Sequence, residues 1–145
     1  MELDHNLIGS EMEPFLVEVE KGAIRKFAES LEDDNPIYYN IEAAIAAGYR
    51  TIVAPTTFPT TFRLSARPFW LSSLRQERIM AGEQSFTYHR PIYAGDVLTC
   101  RFHLKGVEDK VGSSGRLQII SQEMIIDDLD GKMVARNGRG LIYKV

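Results

Sequence analysis

The chain has 145 residues and a single cysteine, Cys100, so no disulfide can form within it. A Cys nucleophile at that position is disfavoured, because a lone cysteine in a strand pattern is usually a small core residue. No Cys/His cluster, His-Glu-x-x-His, Walker loop, Gly-x-Gly-x-x-Gly or Gly-x-Ser-x-Gly elbow occurs. The glycines of Asn137-Gly138-Arg139-Gly140 fall in an expected final strand with no helix after them, which excludes a phosphate cradle there. Long apolar runs are also missing: none approaches the ~20 residues that span a bilayer. Positive charge is not in excess. The net charge of −3 argues against nucleic-acid and anionic-membrane partners, which favour basic patches. The opening MELDHNLIGSEMEP is acidic and has no apolar signal-peptide core, so a cytoplasmic location is expected. No repeat or low-complexity linker divides the chain, and one domain over residues 1–145 is expected.

What is present is ordinary for a globular protein: 44% hydrophobic and 26% charged residues. Phe15, Val17 and Val19 alternate, as in a short first strand. Over 21–31, Ile24, Phe27, Ala28 and Leu31 make the stripe of an amphipathic helix. Asn35-Pro36 ends that helix, because the residue before proline is pushed out of the α region. Asn40 suits the N-cap of a second helix over 41–47, with Gly48 as its stop. A third helix is predicted from Thr57 to about Ala66, with Phe58, Phe62 and Ala66 on one face and Pro59 in its first turn.

After Gly82 the period changes to two. Phe86 and Tyr88 alternate with polar neighbours. Leu98, Cys100, Phe102 and Leu104 do so more clearly, and Gly106 marks a bulge. GSSG (112–115) reads as a hairpin turn, 116–126 as a long strand, DDLDG (127–131) as a second turn and 132–143 as the last strand. An antiparallel meander with one apolar face needs a cover, and the helices of the first half supply it. The expected class is therefore α+β.

Two stretches carry a resemblance. FAESLEDDNPIYYNIEAAIAAGYRTIVAPTTF (27–58) and YHRPIYAGDVLTC (88–100) resemble the MaoC-like dehydratases, in their N-terminal, FAS1-like branch. The resemblance implies a single hotdog domain, an antiparallel sheet wrapped around a central helix, which agrees with the layout read from periodicity. It also implies (R)-specific hydration of 2-enoyl thioesters, or the reverse dehydration of 3-hydroxyacyl thioesters. The substrate would be carried on CoA or acyl carrier protein, with no further cofactor and no metal. Such chemistry needs a base for water, an acid for the α-carbon and a donor for the enolate oxygen.

The family meets these needs with Asp-x-Asn-Pro-x-His and with a backbone N–H after an Ala-His pair. Carried onto this chain, the first motif reads Asp33-Asp34-Asn35-Pro36-Ile37-Tyr38, and tyrosine stands where the family has histidine. Asp33 and Tyr38 are thus the catalytic candidates, with Asn35 in support. The second motif reads Ala54-Pro55-Thr56. Pro55 has no N–H, which leaves the amides of Thr56 or Thr57 as the oxyanion donors. Phe58 and Phe62 are candidates for the acyl wall, although an apolar core would use the same residues. Asp33 to Pro36 could equally be a plain helix end and turn, Tyr38 a packing residue, and His89 a structural strand histidine.

Three functions fit. The chain could be an acyl-thioester-binding subunit whose partner supplies the Asp/His pair. It could be a self-sufficient homodimeric hydratase using Asp33 with Tyr38 or His89. It could be a thioesterase-like hotdog without hydratase chemistry. Each expects a dimer, with itself or with a second hotdog chain, because the sheet edge must be covered.

Overall fold

The computed structural model describes residues 1–145. Period-two patterning produces five strands: β1 (Phe15–Glu18), β2 (Ile79–Tyr88), β3 (Val97–Gly112), β4 (Gly115–Asp127) and β5 (Met133–Lys144). They form one antiparallel sheet in the order β1-β3-β4-β5-β2. Leu98, Cys100, Phe102 and Leu104 of β3 and Ile120, Met124 and Ile126 of β4 lie on one face and are buried. The register shifts between Leu104 and Gly106, so the bulge falls where the glycine implied it. Ser113-Ser114 closes the β3–β4 hairpin, with Gly115 at φ 117°.

Helix α1 (Lys21–Ser30) covers the apolar face. Its Ile24 and Ala28 are fully buried, and Phe27 meets Phe58 edge to face at 5.5 Å. Leu31 departs from the expected stripe: it caps the helix and is exposed. The chain turns there because Glu32 takes a left-handed conformation (φ 54°) and the Asp33 amide reaches back to Ala28 C=O at 3.0 Å. Helix α2 (Ile41–Ala46) starts as the sequence implies, with the Asn40 side chain accepting from the Ala43 amide at 2.9 Å. No helix is long and apolar enough to cross a membrane.

The third predicted helix does not form. Only a 3₁₀ turn, Phe58–Thr61, stands at its start, and Phe62 is already extended. The cause is local. Thr60 and Thr61 turn their hydroxyls onto the carbonyls of Thr57 and Phe58 at 2.8 Å, taking acceptors that α-helical amides would need. Pro59 has no amide to give. Phe58 and Phe62 nevertheless face inward, each 3% exposed, while Ala66 is exposed. From there to β2 the chain is irregular, with short 3₁₀ turns at Phe69–Leu71 and Gln76–Arg78.

Candidate functional site

The loop after α1 is held by its own polar side chains. Asp33 Oδ1 accepts from the Asn35 amide at 3.0 Å, and Asn35 Oδ1 accepts from the Ile37 amide at 3.3 Å. Two such turns in succession, with Pro36 opening a 3₁₀ turn over Pro36–Tyr38, give the loop a defined shape. The Tyr39 hydroxyl ties it down by donating to Asp33 C=O at 2.6 Å. One oxygen of Asp33 and the side-chain oxygen of Asn35 thus serve the loop backbone. Tyr38, half-buried, is the polar member of the motif that faces a cavity, beside Ile37.

The opposite wall is built from residues 52–57. Ala54 N–H donates to Ile92 C=O at 2.8 Å and Ala94 N–H to Ile52 C=O at 2.9 Å, a short antiparallel pairing centred on Val53 and Tyr93. Val53 N–H reaches Ile37 C=O at 3.4 Å and links this wall to the loop. Pro55 then prevents further pairing. Neither the Thr56 nor the Thr57 amide donates a hydrogen bond within the chain. The Tyr88 hydroxyl donates to Thr56 C=O at 2.6 Å. That carbonyl shares a peptide plane with the Thr57 N–H, so the contact fixes the direction of the free donor.

Between the walls is a cavity of about 370 Å³, lined among others by Tyr38, Tyr49, Val53, Thr56, Tyr88 and His89. Arg90 also lines it and is held by Asp96, which accepts from Nη1 at 2.8 Å, from Nη2 at 3.2 Å and from the Tyr93 amide at 2.8 Å. A second cavity, about 390 Å³, lies on the other side of Tyr38 and carries Lys21 and Arg25. Burial raises the Tyr38 hydroxyl above the ordinary tyrosine range, and the nearby Asp33 charge adds to this. Burial pushes Tyr88 up to about 12. Both are neutral hydroxyls near pH 7. The wall therefore offers the Thr56 and Thr57 amides and the Tyr38 hydroxyl as donors suited to an oxyanion, the Tyr88 hydroxyl being already donated to Thr56 C=O. His89 also lines the wall, and that exposed ring has no partner in the chain to orient it.

The structure thus brings Tyr38 and Thr56 to one cavity, with Thr57 next to it. It does not bring Asp33, Asn35, Phe58 or Phe62 to that wall. Phe58 and Phe62 pack edge to face on each other at 5.6 Å within the core. Tyr49, Tyr88 and Arg90 are wall residues to which the sequence assigned no role. Tyr88 and Arg90 lie in the YHRPIYAGDVLTC stretch that carries the resemblance. The Tyr88–Thr56 contact itself spans 32 residues and leaves no local trace.

Residues 6–137 match the model of the FAS1-like dehydratase domain region. The chain is 36% identical over 118 residues to a UPF0336 protein of Saccharopolyspora erythraea, covering 78% of this chain and 76% of that one. A UPF0336 protein of Streptomyces griseus is 33% identical over 146 residues, with 94% and 97% covered. Among solved structures, the C-terminally truncated HadBC (3R-hydroxyacyl-ACP dehydratase) complex of Mycobacterium tuberculosis superposes with a TM-score of 0.76 at 27% identity, with 90% of this chain and 91% of that one covered. The ChsH1–ChsH2 complex of the same organism gives 0.79 at 24% identity, with 92% and 84% covered. A MaoC-like dehydratase gives 0.80 at 25%, with 94% of this chain and 42% of that one covered. The chain belongs to the FAS1-like dehydratase domain family and has the hotdog fold of the MaoC-like dehydratases.

Proposed function

We propose that this chain holds the acyl thioester in an (R)-specific 2-enoyl hydratase (3-hydroxyacyl dehydratase), and that a second hotdog chain supplies the proton-transferring pair. The observation that carries this reading is Tyr38. It occupies the histidine position of the family motif and faces the cavity as a neutral, desolvated hydroxyl. Such a group donates a hydrogen bond but does not take a proton from water near pH 7. The free amides of Thr56 and Thr57 supply what this chain has to offer, a preorganised pair of donors for the thioester oxygen as it gains enolate charge. Tyr88 is the positioning residue for the second of them. Lys21 and Arg25, one helical turn apart on α1, suit the phosphate-bearing arm of CoA or of an acyl carrier protein.

A partner is supported by the sheet. Strand β2 pairs only with β5, which leaves one edge open along Ile79–Tyr88. An edge of that length invites a second chain. Similarity to the HadBC and ChsH1–ChsH2 complexes favours a second hotdog chain there. His89 on the cavity wall favours one other reading, a homodimer that hydrates unaided. Hydration of 2-enoyl-CoAs of several lengths, by the chain alone and with a hotdog chain carrying Asp-x-Asn-Pro-x-His, separates the two. Cleavage of the thioester without hydration would refute both.

A further inference from the structure

The irregular segment that stands where the third helix was expected roofs a further cavity of about 250 Å³. Leu64 and Leu71 come from the segment, and Phe102 and Leu141 from the sheet. Into this largely apolar space the sheet also presents Gln122 and Arg139. Arg139 is half-buried and has no carboxylate within ion-pair distance. Its Nε donates to Asn137 Oδ1 at 2.8 Å, and its Nη2 donates to the carbonyls of Pro59 and Phe62 at 3.2 and 3.4 Å. The guanidinium lies 5.6 Å from the Phe102 ring centroid. Nη1 has no hydrogen-bond partner in the chain.

Glu83 also borders this cavity, but it pairs along the sheet with Gly140 and forms no ion pair with Arg139. Its Cγ is 3.0 Å from where a Cβ on Gly140 would point, and Gly140 faces away from its neighbour Arg139 along β5. Arg139 therefore has neutral acceptors but no ion-pair partner, in a partly desolvated place. That is costly unless something pairs with it.

We infer that this cavity binds the carboxylate of an organic acid on Arg139, with the acid's apolar chain against Leu64, Leu71 and Leu141. Guanidinium is the group best suited to a carboxylate, and the walls suit hydrocarbon. The volume is below the ~300–1,000 Å³ of whole-ligand pockets, so the cavity takes one end of a molecule. Tyr88 lines the thioester cavity and Gln84 this one. Four residues along β2 separate them by about 13 Å. On the acyl-thioester reading, on which this step rests, the substrate is an acyl thioester with a carboxylate at its far end.

Calorimetric titration of the intact protein with octanoate and with octanol tests the site without any turnover. Octanoate is expected to bind at least about tenfold more tightly, the scale of one charge-assisted hydrogen bond. Arg139→Gln should abolish that difference and Arg139→Lys should keep part of it. Because Arg139 also tethers two carbonyls, Leu64→Trp serves as a second variant: it fills the cavity, leaves the tether intact and should weaken both ligands. Equal affinity for octanoate and octanol overturns the carboxylate site and leaves the hydratase reading standing. If octanoate binds through Arg139 but no enoyl thioester is hydrated with any partner, the hydratase reading falls and the carboxylate site stands. In the paired enzyme, Arg139→Gln should raise KM about tenfold for an enoyl thioester ending in carboxylate and leave the neutral analogue unchanged. Equal effects on both overturn the substrate assignment.

Discussion

Tyr88→Phe removes one hydroxyl and keeps the ring. The lost contact is the 2.6 Å bond to Thr56 C=O, and Thr56 is exposed, so water can replace the donor. The stability cost should therefore be near the low end for a hydrogen bond, about 0.5–1 kcal/mol, or roughly 2–4 °C in Tm for a chain of this size. The functional cost should be larger in proportion. A preorganised oxyanion donor is worth about 100–1,000-fold in kcat. Losing its orientation but not the donor itself should cost about tenfold in kcat, with KM little changed.

Alkali gives an independent readout of the same hydroxyl. Burial raises its folded-state pKa to about 12 from the ordinary tyrosine value of 10.0. Between those pH values the folded chain keeps a proton that the unfolded chain has released. Stability from this group is thus fully present below pH ~10 and is lost as pH rises toward 12. The loss should be about 1–2 kcal/mol after allowing for solvent screening of a half-buried ring, and Tyr88→Phe should remove that part of the alkaline decline. Denaturant melts across pH 9–12 and steady-state kinetics of the paired enzyme measure both. An unchanged kcat in a variant that has lost the expected stability would refute the positioning role.

Other perturbations have equally definite outcomes. Phe58→Ala empties a site between Phe27 and Phe62 and should cost about 3–5 kcal/mol by denaturant melt. Asp96→Ala strips Arg90 and the Tyr93 amide of their shared acceptor and should cost about 2–3 kcal/mol while loosening the cavity wall, read as a higher KM. Cys100, pushed up to about 12 by burial, should resist thiol reagents at pH 8 until the chain unfolds.

Much of the fold was legible because it rests on short-range physics. The alternation of Leu98 to Leu104, the Asn40 cap and the bulge at Gly106 are each set by neighbours in sequence. The helix expected after Thr57 failed for a reason equally local but easy to misread. Phe58 and Phe62, four residues apart, are buried as a helix stripe would be, yet the threonine hydroxyls and Pro59 stop the backbone from propagating. The motif loop was legible in position and only half legible in role. Asp33 reads as a base by resemblance and as a turn residue by chemistry, and one of its oxygens does accept from the Asn35 amide. Tyr88 and Arg139 were not legible, since Thr56 lies 32 residues from Tyr88, and the two carbonyls that Arg139 reaches beyond its neighbour Asn137 lie 80 and 77 residues away (Pro59 and Phe62).

On the proposed function, this chain binds the thioester and does not supply the base. Asp33→Asn tests it most directly, because asparagine keeps the oxygen that accepts from the Asn35 amide and removes only the charge. Hydration of 2-enoyl-CoA should be absent for the chain alone and present with the partner chain, and Asp33→Asn should change the paired rate less than about threefold, far below the ~100–10,000-fold of a lost general base. Robust turnover by the pure homodimer, abolished by Asp33→Asn, would contradict it.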